Sequence, residues 1–385
     1  MLVAVFLRVI INGKKNTNNK RILSERVVVI FLSIIYLSNI FNLANAKLTL
    51  NKMIEFILTA LSFFIIYLLN KYRQKIGKKT QLIDRPDKIR KFHKKNIPLL
   101  GGIMIFSSYI SINFYLIFFQ ELTKISLIIF LCCLCCFVLG LIDDIKKFSY
   151  KYKFFILIII FYLFISLDQN LQINKIYFLT LNKEFYLNYL SIPFTILCLL
   201  LLINAINLID GIDGLCILIS AIFLIWLMNT FKSIDALHIV VIISLIYILY
   251  LNLKKHIFLG DSGSLFLGCL MGLNVVLNYN QEISKIHHPV ENIFIALMLP
   301  GLDMLRVFAI RIFNNKNPFL PDRTHLHYLL LDYGLSPIKI LIIFFILILS
   351  PIIANQYAIF SPATIILFCI FLYSSLVIYL KKFTN

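Results

Sequence analysis

The chain has 385 residues, of which 60% are hydrophobic and 14% are charged, and its formal net charge at pH 7 is +19. So apolar a composition excludes a soluble globular protein and predicts a membrane protein with many spans. The basic excess does not require nucleic acid, because lysine and arginine collect in the cytoplasmic loops of membrane proteins. We see no DNA- or RNA-reading motif and expect no nucleic-acid partner.

The first 52 residues form an extension whose fate the sequence leaves open. A basic stretch precedes an apolar run, and Ala44-Asn45-Ala46 then resembles a signal cleavage site. The extension fits a cleaved signal, an extra span, or sequence upstream of a second start at Met53. We therefore divide the chain into an N-terminal extension, residues 1–52, and a membrane-embedded domain, residues 53–385.

Apolar runs of about twenty residues predict some eleven transmembrane helices, and hence an all-α, polytopic helical bundle. The loop over 71–99 carries eleven Lys or Arg residues, which places it on the cytoplasmic side. Strict alternation then puts the loops over 143–153, 210–213, 254–262 and 312–337 on that side too. The predicted spans cover residues 53–70, 100–119, 125–142, 154–167, 191–209, 214–230, 236–253, 263–279, 292–311, 338–356 and 362–380.

The most informative stretch is 204–215, which reads Asn-Ala-Ile-Asn-Leu-Ile-Asp-Gly-Ile-Asp-Gly-Leu. Polar groups at membrane depth are costly unless they are paired or solvated, so two carboxylates and two carboxamides indicate a site. A glycine after each carboxylate allows a sharp turn and close approach to a ligand. We predict that Asp210 and Asp213 hold a divalent cation or a phosphate-bearing ligand, with Asn204 and Asn207 beside them.

Two further acidic motifs fall on the same side of the membrane. Asp143 and Asp144 end the third span, where adjacent carboxylates can bind metal, accept a proton, or simply form a solvated helix end. Phe258-Leu-Gly-Asp261-Ser-Gly opens a later span, and helix N-termini favour anions. The alternative for Asp261 is a plain helix cap.

Basic side chains in the first and last cytoplasmic loops suit phosphate recognition, because they offer charge-assisted hydrogen bonds to phosphate oxygens. Membrane topology alone also explains a basic first loop, and surface histidines are the alternative in the last loop. The candidates are Arg90, His93 and Lys94 in the first loop and Arg323, His325 and His327 in the last.

A group of four cysteines, Cys132, Cys133, Cys135 and Cys136, lies inside an apolar span without polar neighbours. Their spacing is not usual for zinc. We interpret them as small apolar helix residues, and we expect no disulfide framework.

Taken together, the ordered motifs resemble the polyprenyl-phosphate N-acetylhexosamine-1-phosphate transferases over about residues 53–380. The resemblance implies a bacterial inner-membrane enzyme with its active site on the cytoplasmic face. It would use Mg²⁺, with Mn²⁺ as a substitute, to transfer a sugar-1-phosphate from a UDP-N-acetylhexosamine to undecaprenyl phosphate and release UMP. The loop that ends in His327 favours N-acetylglucosamine and a surface polysaccharide such as O-antigen, and homodimerisation is left open.

The resemblance also implies a role for each matched position. Asp143 would deprotonate or position the lipid phosphate, and Asp261 would ligate Mg²⁺ directly; direct attack and a covalent aspartate intermediate both stay open. The implied catalytic set is Asp143, Asp144, Asp210, Asp213, His325 and His327, and Asp210 and Asp213 would also contact the metal. The implied substrate-binding set is Lys94, Asn204, Asn207, Phe258, Arg323, Arg90 and His93.

One departure and three alternatives accompany this hypothesis. Tyr328 stands where the family usually has another histidine, which bears on sugar preference. Within the family, the alternative is phospho-N-acetylmuramoyl-pentapeptide transferase. A transporter of lipid-linked or nucleotide sugars would more typically carry charges at the bilayer midplane within a repeated fold, and we find no repeat. A phospholipid-type alcohol phosphotransferase is disfavoured because Gly211 is followed by Ile212-Asp213 rather than by Ala-Arg.

Overall fold

The computed structural model is mostly helical. It describes residues 50–86, 96–119, 123–231, 236–283, 289–317 and 323–384. Across these residues there are thirteen α-helices and two short antiparallel hairpins. The helices are α1 (Leu50–Lys71), α2 (Arg73–Thr80), α3 (Gly101–Phe119), α4 (Lys124–Lys146), α5 (Tyr150–Ile165), α6 (Ser191–Ile209), α7 (Leu215–Phe231), α8 (Ala236–Leu253), α9 (Gly260–Ile283), α10 (Val290–Phe313), α11 (Leu326–Asp332), α12 (Pro337–Gln356) and α13 (Pro362–Thr384).

Six of these helices are long and apolar enough to cross a membrane, namely α4, α6, α9, α10, α12 and α13. Shorter apolar stretches occupy α1, α3, α7 and α8. Each of the eleven apolar runs identified in the sequence falls, within a few residues, on one helix. The chain is therefore a multi-pass helical membrane protein, as predicted.

The prediction of an all-α fold was wrong in two places. Strand β1 (Ile83–Asp84) pairs with β2 (Ile97–Pro98), and β3 (Lys175–Phe178) pairs with β4 (Lys183–Tyr186). Strands of two to four residues are too short to produce a periodic signal beside apolar helices of twenty, so hydropathy does not reveal them. Asn182 accommodates the second turn with a φ of 47°.

Helix α9 is the centre of the bundle. Within the protein, 83% of its apolar stretch is buried, whereas the other five long helices bury between 22% and 44%. Glycines permit this packing, since a Cβ on Gly102 would lie 2.4 Å from the Gly263 nitrogen, and one on Gly140 would lie 2.4 Å from the Asp261 carbonyl oxygen. Small residues allow membrane helices to approach closely, and here they bring α3 and α4 against the first turn of α9.

The cysteines pack at the interface between α4 and α9. The Cys132, Cys136 and Cys269 sulfurs lie within 4.8 Å of one another, and all three residues are buried. All eight cysteines are free thiols, so the expected absence of a disulfide framework agrees with the structure. Thiolates select soft metals, whereas Mg²⁺ prefers oxygen, so this cluster is not the predicted magnesium site.

Candidate active site

The candidate site forms where three helix ends meet. Helix α4 finishes just after Asp143 and Asp144, α6 ends one residue before Asp210, and α9 begins one residue before Asp261. These residues come from separate motifs in the sequence, and the fold gathers them around the N-terminus of α9. The described parts of the chain thus bring the predicted acids into one neighbourhood.

Asp144 caps the N-terminus of α9. Its Oδ1 accepts the Asp261 N–H at 2.8 Å, and its Oδ2 accepts the Ser262 N–H at 3.1 Å. Gly260 has a φ of 76°, and a Cβ there would lie 2.7 Å from the Asp144 Oδ2 atom, so glycine is required. A carboxylate at this position satisfies free N–H groups and favours the helix dipole. Asp144 therefore orients the backbone that carries Asp261.

Lys153 links the other two carboxylates. Its Nζ lies 2.5 Å from the Asp143 Oδ2 atom and 2.6 Å from the Asp261 Oδ2 atom. The lysine was absent from the predicted site, because it is one of several lysines after Asp143-Asp144 that membrane topology already explains. Its position near the start of α5, one turn inside the helix, points the side chain back to the acids. Asn207 Nδ2 completes the contact by donating to Asp261 Oδ1 at 3.1 Å.

The turn between α6 and α7 places Asp210 and Asp213 differently. Burial, together with the negative charges of Asp261, Asp144 and Asp213, raises the pKa of Asp210 well above its usual range. The ionised form of Asp210 is thus disfavoured by burial first and by the neighbouring carboxylates second, and a nearby cation would favour it. The Asp213 Oδ2 atom instead lies 3.7 Å from the Lys255 Nζ atom. Asp210 is thus close to the acidic cluster, whereas Asp213 pairs with Lys255 in the loop between α8 and α9.

The predicted substrate-binding residues divide into three groups. Asn204 Nδ2 donates to the Leu200 carbonyl of its own helix at 2.7 Å, and its side chain lines the same cleft as Asn207. Phe258 accepts the Gly101 N–H and donates to the Pro98 carbonyl, both at 2.9 Å, which joins it to the start of α3. The remaining candidates Arg90, His93 and Lys94 lie outside the described residues.

The histidine motif is built on Asp303 of α10. His325 Nδ1 lies 2.7 Å from Asp303 Oδ2, and Asp303 Oδ1 accepts the Leu326 N–H at 2.9 Å. The rings of His325 and His327 stack with centroids 5.6 Å apart and an angle of 9° between their planes. Burial lowers the pKa of His327 to about 3, so its ring is neutral at physiological pH.

The histidines and the acidic turn adjoin each other. A Cβ on Gly211 would lie 2.4 Å from His327 Nε2 and 2.7 Å from the Tyr328 hydroxyl, so a larger residue there would displace these side chains. Arg323 donates to Asp332, and its guanidinium lies 5.3 Å from the centroid of the Tyr328 ring. Because Gly211 directly follows Asp210, the two halves of the predicted site share this turn.

The donor set fits a hard divalent cation. Asp210, Asp213 and Asp261 offer carboxylate oxygens, which Mg²⁺ prefers. Lys153 pairs with Asp261 and with the neighbouring Asp143. Burial and neighbouring negative charges raise the pKa of Asp210, so a bound cation would stabilise its ionised form. Asp261, already shared between Lys153 and Asn207, would exchange one of these contacts on binding the ion.

A multi-pass helical protein with clustered carboxylates, a lysine and paired histidines at one end of its bundle belongs to the class of membrane-embedded transferases that handle phosphate esters. The sequence profile of glycosyl transferase family 4 matches residues 126–278. That range contains Asp143, Asp210 and Asp261 but ends before the histidine motif.

Similar proteins agree with this match. Over 305 residues, the chain is 31% identical to a Bacillus subtilis (strain 168) protein named probable undecaprenyl-phosphate N-acetylglucosaminyl 1-phosphate transferase. This match covers 76% of the chain and 81% of the relative. Proteins named undecaprenyl-phosphate alpha-N-acetylglucosaminyl 1-phosphate transferase match shorter segments. The Haemophilus influenzae protein is 32% identical over 83 residues, and the Escherichia coli (strain K12) protein is 29% identical over 86; each match covers 22% of this chain and 23% of the relative. The chain belongs to glycosyl transferase family 4, which confirms the predicted resemblance.

Proposed function

We propose that the protein transfers N-acetylglucosamine-1-phosphate from UDP-N-acetylglucosamine to undecaprenyl phosphate. An oxygen of the lipid phosphate attacks the phosphorus that carries the sugar, the bond from that phosphorus to the bridging oxygen breaks, and UMP leaves. The product is a lipid-linked diphosphate sugar that starts a cell-surface polysaccharide. The observation that carries the proposal is the contact of Lys153 with both Asp143 and Asp261 at the N-terminus of α9.

The attacking group is anionic, and the acidic cluster must therefore be screened before a lipid phosphate can enter. Lys153 supplies one positive charge beside Asp143, at a point where a phosphate oxygen can replace a carboxylate oxygen. Asp143 then orients the lipid phosphate or accepts its proton. Phosphoryl transfer depends mainly on such positioning and on neutralising the charge of the phosphates.

Asp261, Asp210 and Asp213 are the residues that would hold Mg²⁺. When bound, the ion would neutralise the diphosphate of the sugar nucleotide and stabilise the charge of departing UMP. Asp144 keeps Asp261 in place through its backbone, and Asn207 orients the Asp261 side chain. The histidines across the Gly211 turn are positioned to contact the sugar or the diphosphate.

A cleft beside Lys153 suits the lipid acceptor. Apolar side chains from α5, α9 and α10 line it, and its polar members include Lys153 and Asn207, which both contact Asp261. A polyprenyl chain needs an apolar surface that leads to the reacting phosphate. The residues concerned include Phe154, Leu157, Leu265 and Phe308.

This function requires a particular arrangement in the membrane. We place the eleven helices that match the predicted spans across the inner membrane of a bacterium, with the ends of α4 and α6 and the start of α9 at the cytoplasmic face. The eleven basic residues between 71 and 99 support that orientation. UDP-sugars would then reach the site from the cytoplasm, and the lipid would reach it from the bilayer.

The test is a reaction with membranes that contain the protein, undecaprenyl phosphate and a panel of labelled UDP-sugars. We expect UMP release and a labelled lipid with UDP-N-acetylglucosamine. Product from the UDP-N-acetylmuramoyl-pentapeptide alone would instead assign the peptidoglycan reaction. Uptake of label into vesicles without UMP release would indicate a transporter and overturn the proposal.

A further inference from the structure

We infer that Asp303 is a positioning residue that orients His325 and leaves the Nε2 atom of its ring available to the sugar nucleotide. The inference rests on the proposed function, but it concerns a residue on α10 that none of the sequence motifs contains. Asp303 is buried, with 2% of its surface exposed, in a helix that crosses the membrane. A carboxylate at such a position is costly unless it is paired, so its partners indicate why it is there.

Four donors surround the Asp303 carboxylate. Its Oδ2 contacts His325 Nδ1 at 2.7 Å, and its Oδ1 accepts from the Leu326 N–H at 2.9 Å, the Arg306 Nη2 at 2.9 Å and the Tyr373 hydroxyl at 2.8 Å. These donors come from α10 itself, from the start of α11 and from α13. Asp303 therefore ties the histidine motif to two membrane helices.

The guanidinium of Arg306 reinforces this connection. Besides contacting Asp303, Arg306 Nη2 donates to the Thr324 carbonyl at 2.6 Å, immediately before His325. Its Nε donates to the Tyr373 hydroxyl at 2.6 Å. The backbone on both sides of His325 is thus held, through Thr324 and Leu326, by one buried ion pair.

The contact with Asp303 also determines which ring nitrogen of His325 is available to a ligand. An ionised carboxylate can only accept hydrogen bonds, so the Nδ1 atom of His325 must carry the proton that faces Asp303. The Nε2 atom then has no hydrogen-bond partner among the described residues, although His325 is only 3% exposed. A buried polar atom without a hydrogen-bond partner destabilises the folded protein. A ligand that pairs with Nε2 would remove this cost.

His327 shows the same property beside it. Neither of its ring nitrogens has a partner among the described residues, its surface is fully buried, and its Nε2 is directed at Gly211 of the acidic turn. Three unpartnered imidazole nitrogens therefore lie in two stacked rings next to Asp210. A sugar nucleotide offers hydroxyl, amide and phosphate groups that can pair with them, so Asp303 would set the geometry of that recognition.

The test is a double-mutant cycle on UMP release, with Asp303→Asn and His325→Ala made singly and together. If Asp303 acts through His325, Asp303→Asn should lower kcat/KM for the UDP-sugar by about tenfold or more in the natural protein. It should cost less than about twofold when His325 is already alanine. We expect KM for undecaprenyl phosphate to stay unchanged.

Glu291→Gln is the matched control, because it removes the charge of a buried carboxylate near the N-terminus of the same helix, away from the histidines. It should lower thermal stability without changing kcat/KM. If Asp303→Asn does not accumulate as folded protein, Asp303→Glu, which keeps the charge but displaces it, should show the same dependence on His325. Equal losses from Asp303→Asn in both backgrounds would overturn the inference. Absence of UMP release by the natural protein would instead refute the proposed function.

Discussion

Helix α10 carries two buried carboxylates with different surroundings. Near its N-terminus, Glu291 accepts the Leu179 N–H at 3.2 Å, the Thr180 N–H at 3.0 Å and the Thr180 hydroxyl, all from the turn between β3 and β4. Near its middle, Asp303 is equally well bonded, but the His325 ring that it contacts has a nitrogen with no partner among the described residues. The Glu291 contacts stay within the fold, whereas the Asp303 contacts lead to an atom that a ligand can pair with.

The acidic cluster shows the same asymmetry. Of the carboxylates Asp143, Asp210 and Asp261, Lys153 contacts only Asp143 and Asp261. Burial, together with the negative charges nearby, raises the pKa of Asp210. Polar groups that serve only the fold are expected to be satisfied within it. We therefore interpret the excess of negative charge at these helix ends as a mark of the place where ligands bind.

The largest expected effect comes from Asp261→Asn. This change removes a carboxylate charge at the point where Lys153, Asn207 and the proposed Mg²⁺ converge, so turnover should fall by about a hundredfold or more. UMP release and the thermal midpoint are measured together, and Glu291→Gln is the control for loss of a buried carboxylate far from the site. Near-normal UMP release by folded Asp261→Asn would show that the acidic cluster does not take part in the reaction as proposed.

Much of this comparison could be predicted from the sequence. Polar residues that interrupt apolar runs, as in 204–215, are visible because they are costly in a membrane. Lys153 and Asp303 were not assigned to the site. A lysine after a span is already explained by membrane orientation, and a single acid in an apolar helix belongs to no local motif. Their partners lie on other helices, and which faces meet depends on close packing at glycines such as Gly102 and Gly140 rather than on periodicity. The hairpin of β3 and β4 was missed because its strands have only four residues each.

A smaller effect is expected when the pH is lowered. The pKa of His327 is about 3 in the folded protein and about 6.5 when the ring is exposed, so the unfolded chain takes up a proton first. The contribution of the neutral His327 ring to the free energy of unfolding is therefore fully present above pH 6.5. It declines as the pH falls toward 3, and about 2 kcal/mol of it is lost at pH 5. The measurement is the free energy of unfolding in detergent at pH 7.5 and pH 5.

His327→Asn serves as the comparison, because asparagine does not titrate. The variant should be less sensitive to acid than the natural protein by about 2 kcal/mol at pH 5. Other titratable groups, such as Glu291, are present in both proteins, so their contribution to the acid sensitivity cancels. Equal losses in the two proteins would mean that the histidine ring can be protonated in place, contrary to its full burial.

The smallest effect is expected for Asp144→Asn, which tests whether the neighbouring carboxylates Asp143 and Asp144 have different roles. Asp143 contacts Lys153, whereas both oxygens of Asp144 accept backbone N–H groups of α9. Asparagine caps helices nearly as well as aspartate, so Asp144→Asn should cost only about 0.5–1 kcal/mol from the lost charge at the helix N-terminus. Because Asp144 acts on the chemistry only through the backbone of Asp261, turnover of Asp144→Asn should fall by less than about tenfold.

Asp143→Asn, measured in the same UMP-release assay, should lose about a hundredfold or more of its turnover, since it removes the group proposed to contact the lipid phosphate. If folded Asp144→Asn were as inactive as Asp143→Asn, Asp144 would have to contact substrate or metal itself, and the distinction between a carboxylate that holds the helix and one that meets the ligand would fail.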